Sequence, residues 1–215
     1  MTSEQRIQQA LQWWFYREFL KLFLESEKIR DDLLQESFTI RRNLDLLAID
    51  NQTLSVTNIQ AYIEKIDNFH HSLVQLSDRL CLTSIQDSLP LSIEYLLESW
   101  IDSHQHLDFQ LKMPVYWRTE APERNWIIIR VLEELLRITL PETEILLPIY
   151  IHITLKPIGS IGLLSVKIYY PDISTLIFYS HVPELEHLYH SFNFLISGKC
   201  CYFNKNLMSV WHFYW

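Results

Sequence analysis

From about Ser3 to about Ala48 the chain contains neither proline nor glycine, the two residues that most readily end a helix. Phe15, Phe19, Leu22, Ile29, Leu33, Ile40 and Leu47 fall on alternating three- and four-residue steps, with Ser26 and Glu36 as polar interruptions. That is a heptad-like seam along one continuous helix. Such a helix is too long to bury its seam within a compact domain of its own, so the pattern predicts a bundle or coiled coil. Trp13, Trp14, Phe15, Tyr16 and Phe19 crowd its early part. A bundle core is the plain reading. A partner surface through Trp13, Trp14 and Tyr16 is the sharper one, and contact with a membrane surface the third.

Asp50-Asn51-Gln52-Thr53 is a polar break with turn formers. A second helix is predicted from about Ser55 to about Leu82, with a stripe of Val56, Ile59, Ile63, Ile66, Leu73, Leu76 and Leu80. Two such helices make an antiparallel hairpin that cannot bury both stripes alone. Two hairpins pairing as a symmetric homodimer can, in a four-helix bundle.

From about Ile85 the pattern changes. A helix over 89–104 and a strand over 106–113 come first. A helix over 123–138, strands over 149–155 and 163–169, an irregular stretch over 172–183, a helix over 184–195 and two final strands follow. The fold class is therefore α+β: residues 1–84 as a helical hairpin, then residues 85–215 as an α/β sandwich with helices on one face of a mixed sheet.

Only Gly159, Gly162 and Gly198 are present, too scattered for a glycine-rich phosphate loop. A formal net charge of −8 argues against non-specific binding of nucleic acid. Cys81, Cys200 and Cys201 form neither a disulfide framework nor a zinc spacing, and a reducing cytoplasm fits. Asp102, His104 and His106 flank a helix end with no further ligand nearby, so no metal is predicted. The N-terminus lacks the layout of a signal peptide, and no run approaches the roughly 18 apolar residues of a membrane span.

Lys28-Ile29-Arg30-Asp31-Asp32-Leu33-Leu34-Gln35-Glu36-Ser37-Phe38-Thr39-Ile40 resembles the phospho-acceptor helix of bacterial sensor histidine kinases of the nitrate-sensor and desaturase-sensor type. That family's motif is close to E-L-H-D-x-L-x-Q-S-L-F-A-I. Here Arg30 stands where the acceptor histidine belongs, and one extra residue separates glutamine from serine. Leu76-Ser77-Asp78-Arg79-Leu80 is similar to the end of the family's second helix. Arg130-Val131-Leu132-Glu133-Glu134-Leu135-Leu136-Arg137-Ile138 resembles the R-I-x-Q-E-A-L-x-N helix of the ATP-binding domain, with Ile138 in place of the magnesium-binding asparagine. In place of the D-x-G-x-G box stand Tyr169, Tyr170 and Pro171, with Asp172 out of register; the second glycine box and long lid are absent.

The resemblance implies a truncated kinase ATPase-like domain stripped of its chemistry. Phosphotransfer needs an imidazole nucleophile, and a guanidinium stays protonated. Magnesium needs oxygen ligands, which isoleucine lacks. The expectation is a catalytically inactive pseudokinase without cofactor, with Arg30, Glu134, Ile138, Tyr169 and Tyr170 as degenerate site positions. Arg30 and Asp31, together with Trp13, Trp14 and Tyr16, are the candidate partner surface. The resemblance implies a response regulator or an active histidine kinase as partner. Two other readings stay open: a divergent active kinase using His70 or His71, and an assembly factor docking through its aromatic N-terminal helix. His70 sits in the apolar stripe, so a packed structural histidine is the plain reading for it.

Overall fold

The computed structural model describes residues 2–49, 56–80, 88–104, 106–141 and 148–215. The expected break at 50–53, and Cys81, lie outside the described residues. The chain divides into two compact units: Tyr16–Thr83, and Met1–Phe15 together with Ser84–Trp215.

The helical unit begins within α1 (Ser3–Lys28), passes through a single π-helical segment at Ile29–Leu33, and continues as α2 (Leu34–Ile49) and α3 (Val56–Leu80). The π segment is marked by the Leu34 N–H donating to the Ile29 carbonyl, five residues back. Among the described residues of this unit, the buried apolar side chains are Leu33 and Leu76. Phe19, Leu22, Ile59, Ile63, Ile66 and Leu73 keep between 40% and 58% of their surface exposed. The seam read from the sequence is thus mostly uncovered within one copy of the chain.

The second unit holds α4 (Leu89–Ser103), β1 (Leu107–Lys112), α5 (Pro122–Thr139), β2 (Ile149–Ile158), β3 (Ile161–Tyr169), α6 (Ile173–Ser180), α7 (Glu184–Leu195), β4 (Lys199–Lys205) and β5 (Met208–Tyr214). The sheet order is β1-β2-β3-β5-β4. The β1–β2 pair is parallel and the other pairs are antiparallel. Strand alternation sorts the faces. Ile151, Ile153 and Leu155 align through the register with Ile168, Val166 and Leu164, and the last two with Trp211 and Phe213, while Ile149 stands beside Leu107 of β1. All of these side chains are buried, and Phe192 of α7 meets Phe213 edge-on at 4.9 Å. The helices therefore cover this face, the α+β arrangement expected.

Two expectations need correction. Residues 172–183 are not irregular, because α6 occupies Ile173–Ser180. Asp172 caps it, its Oδ1 accepting the Thr175 N–H at 2.8 Å and its Oδ2 the Thr175 hydroxyl at 2.9 Å. The Ser174 hydroxyl also donates to Oδ1, and its bond, followed by those from Thr175, stabilises the charged form and pulls the Asp172 carboxyl down to about 2. The second correction concerns the start of the chain, expected to belong wholly to the hairpin. Met1–Phe15 packs instead with the sheet unit. Ala10 is fully buried, small enough for close helix approach, and its carbonyl accepts the Ser191 hydroxyl at 3.0 Å. Trp14 is buried as well, and Trp13 lies 5.9 Å from the His187 ring.

The loop before α5 is stapled to the last strand through Glu120. Its Oε1 accepts Arg118 Nε at 2.6 Å and the Trp215 indole N–H at 2.9 Å, and its Oε2 accepts Arg124 at 3.1 Å. Burial alone raises the pKa of this carboxyl. The bonds from Arg118, Trp215 and Arg124 outweigh that and hold it below its ordinary 4.5. A depressed carboxylate pKa contributes stability above the unfolded value, lost as pH falls through the folded one. We predict that Glu120→Gln costs about 1–3 kcal/mol near neutral pH in urea unfolding. The gap to the wild type should close as pH falls below 4.5. A gap that stays constant down through that range would contradict this role.

Candidate functional site

Arg30, read from the sequence as a degenerate acceptor position, lies in the π segment. Arg30 is exposed, and its guanidinium pairs with Glu27 and, at 3.9 Å, with Asp31. Beside it an open concavity of about 350 Å³ is lined by Lys21, Glu25, Lys28, Asp31 and Asp32 among others. With Glu27 in the lining as well, its acids outnumber its lysines, which disfavours an anion. A π turn holds one residue more than an α turn, and Glu36, read as the extra residue of the motif, lies just past this one. Exposed on α3, His70 and His71 face solvent, so the packed role expected for His70 does not hold in a single chain.

The positions matching the nucleotide site come together around the C-terminal half of α5. Glu134 is 2% exposed, and both of its oxygens accept Arg137 Nη2 at 2.5 Å. The carboxylate that a kinase would aim at a nucleophile is engaged one turn along its own helix. Arg130 is also buried and pairs with Glu133. Ile138 is half-buried and offers no oxygen.

The segment replacing the aspartate–glycine box closes this region. Tyr170 is 3% exposed, and its hydroxyl donates to the Thr139 carbonyl at 3.0 Å, tying the end of β3 to the end of α5. Its ring lies parallel to that of Tyr179 on α6, at 6.2 Å. Burial, reinforced by Tyr179, pushes the Tyr170 phenol well above its usual value, so it stays a neutral donor. Tyr169 points to the other face of the sheet, where its ring meets His152 at 4.9 Å. Tyr169 and Tyr170, expected to act together, therefore lie on opposite faces of the sheet. Asp172 is committed to capping α6.

The expected partner residues separate. Trp14 is buried and Trp13 half-buried within the sheet unit, so neither offers an open ring. Tyr16, Arg30 and Asp31 remain exposed. Among the described residues no group of three or more His, Cys, Asp or Glu side chains could hold a metal ion. No described helix is long and apolar enough to cross a membrane.

No family model matches the chain, and no curated protein matches it. Solved structures do. Histidine kinase AdeS of Acinetobacter baumannii is 11% identical over 85% of this chain and 95% of its own, with a TM-score of 0.42. The blue-light-activated histidine kinase EL346 of Erythrobacter litoralis is 9% identical over 85% of this chain and 57% of its own, at 0.47. Histidine kinase ThkA, in complex with the response regulator TrrA, is 18% identical over 93% of this chain and 65% of its own, at 0.44. All three are histidine kinases, the family that the motifs resemble.

Removing the Tyr170 ring should open the space between β3, α5 and α6. We predict that Tyr170→Ala lowers stability by about 3–5 kcal/mol, as for other buried aromatics. Tyr170→Phe should cost only about 1 kcal/mol, through the lost bond to Thr139. Urea unfolding of the two variants checks the order; equal costs would mean that the ring fills nothing.

Proposed function

We propose that this chain is a catalytically inactive, histidine-kinase-like member of a two-component signalling system. It pairs with a second copy through its helices and works by binding a response regulator or an active kinase. The observation that carries the reading is joint: Arg30 replaces the acceptor, Glu134 is locked to Arg137, and Tyr170 occupies the nucleotide region. Each change strikes chemistry and spares packing. Pairing is supported by the exposed stripe of Phe19, Leu22, Ile59, Ile63 and Ile66, which a single copy leaves in water. A closed twofold bundle is the usual way to cover two such stripes.

A second reading has its own support. His70 and His71 are exposed on α3, where a kinase acting in trans could reach them. Incubation with γ-labelled ATP separates the two. The protein alone should take up no label, and His70→Gln and His71→Gln should change nothing. Label that vanishes in either variant would establish an acceptor and overturn the inactive reading.

Pairing is checked by light scattering on the eluting peak. The wild type should give twice the chain mass of 25.9 kDa. Phe19→Glu with Ile63→Glu should give a single copy, because a charge in an apolar bundle seam costs several kcal/mol, of the order of ~3–5. A wild type that elutes as a single copy would contradict the bundle.

A further inference from the structure

The sheet face opposite the helices has a composition unlike the rest of the chain. The registers set it out in rows. Asp108, Tyr150, Tyr169, Met208 and Lys205 make one, and Gln110, His152, Lys167, Val210 and Phe203 the next. Lys112, Thr154, Ser165, His212 and Cys201 follow, then Lys156, Leu163, Tyr214 and Lys199. Ring contacts place these side chains on one surface: His152 with Tyr169 at 4.9 Å, and His212 with Phe203 and with Tyr214 at 6.2 Å each.

Lys112, Lys156, Lys167, Lys199 and Lys205 stand on this face, and Asp108 is the one acid in these rows. Among the described residues none of the five lysines has an ion-pair partner. Their charge is felt locally, because burial and then Lys167 and Lys156 push the His212 pKa down. A chain of net charge −8 has gathered cations on one surface. Between them lie aromatic rings open to solvent, with Tyr150 46% and Phe203 49% exposed.

We propose that this outer sheet face binds single-stranded nucleic acid, lysines meeting phosphates and Tyr150 and Phe203 stacking on bases. An acidic peptide would use the lysines but leave the exposed rings without a role. A base has a π face for each ring, and stacking tolerates any sequence. The size of the face selects a flexible strand. Five strands at about 4.8 Å spacing make a platform about 20 Å across. A rigid duplex would run off it onto the acidic remainder of the chain, whereas a single strand can bend to stay. The whole-chain charge that argued against nucleic acid is a sum, and it hides this local reversal of sign.

Fluorescence anisotropy of a labelled oligothymidine of roughly 12 nucleotides tests this on the full chain. Competitors are the matching duplex, poly-glutamate, and vesicles containing phosphatidylserine. Binding should weaken with salt at a log–log slope of about −2 to −3.5, given about −0.7 per phosphate neutralised on a single strand. Lys156→Gln with Lys199→Gln should make that slope shallower by about 1.4. Tyr150→Ala and Phe203→Ala should each weaken binding roughly five- to a hundredfold. Arg41→Gln with Arg42→Gln, exposed in the helical unit, should change neither quantity. Unchanged circular dichroism and melting midpoint show each variant folded, all of these positions being surface ones. Absence of binding at low salt overturns the proposal. So does equal competition by duplex, poly-glutamate or vesicles, or binding that ignores the face variants.

Discussion

The sheet unit depends on the burial of α5 against the helix-side face of the sheet. Ile128, Val131, Leu132, Leu135 and Leu136 are fully buried, as are Ile149, Ile151, Ile153 and Val166 on the strands. Each such side chain contributes about 1.5–3 kcal/mol on leaving water. No polar contact in the unit matches that sum. The half-buried pairs Arg130–Glu133 and Glu134–Arg137 are therefore passengers on an apolar scaffold. Removing one partner would strand a charge, yet the pair itself adds little net stability. The same packing aims the end of α5 at the end of β3, where Thr139 meets Tyr170. A scaffold of this kind tolerates changes at such polar positions, because they do not hold it together.

The element order was legible because strand and helix periods differ and the apolar positions follow them closely. Glu184–Leu195 as a helix, and the hairpin of β2 and β3, follow directly from that pattern. α6 was missed because it is short, and because Asp172-Ile173-Ser174-Thr175 lies where the motif comparison expected a nucleotide box. Read for capping, an aspartate three residues before a threonine N–H is a helix start. The π segment has no marker residue, and its trace in the sequence is the one-residue excess of the motif. Trp13 and Trp14 were misplaced for a different reason. Periodicity shows that a helix has an apolar side but not which neighbour covers it, and Ala10 gave no hint of the contact with Ser191.

The candidate site was legible by subtraction. Arg30 and Ile138 cannot perform phosphotransfer or metal binding wherever the fold puts them. What took their place needed coordinates: the locking of Glu134 by Arg137, and the split of the tyrosine pair across the two sheet faces. Alternation on a strand demands that split for Tyr169 and Tyr170, and it sends Tyr169 to the outer face among the lysines. The two faces thus have different characters, one packed on helices, the other cationic and aromatic.

The proposed function rests on reading the space between β3, α5 and α6, which Tyr170 occupies, as the counterpart of a kinase's nucleotide region. Isothermal titration of the intact protein with Mg-ATP, with ADP as control, tests it most directly. The account predicts no saturable heat at high micromolar protein. Saturable, magnesium-dependent binding would contradict it, since Ile138 offers no oxygen to a metal and the Tyr170 ring is buried between the end of α5 and α6.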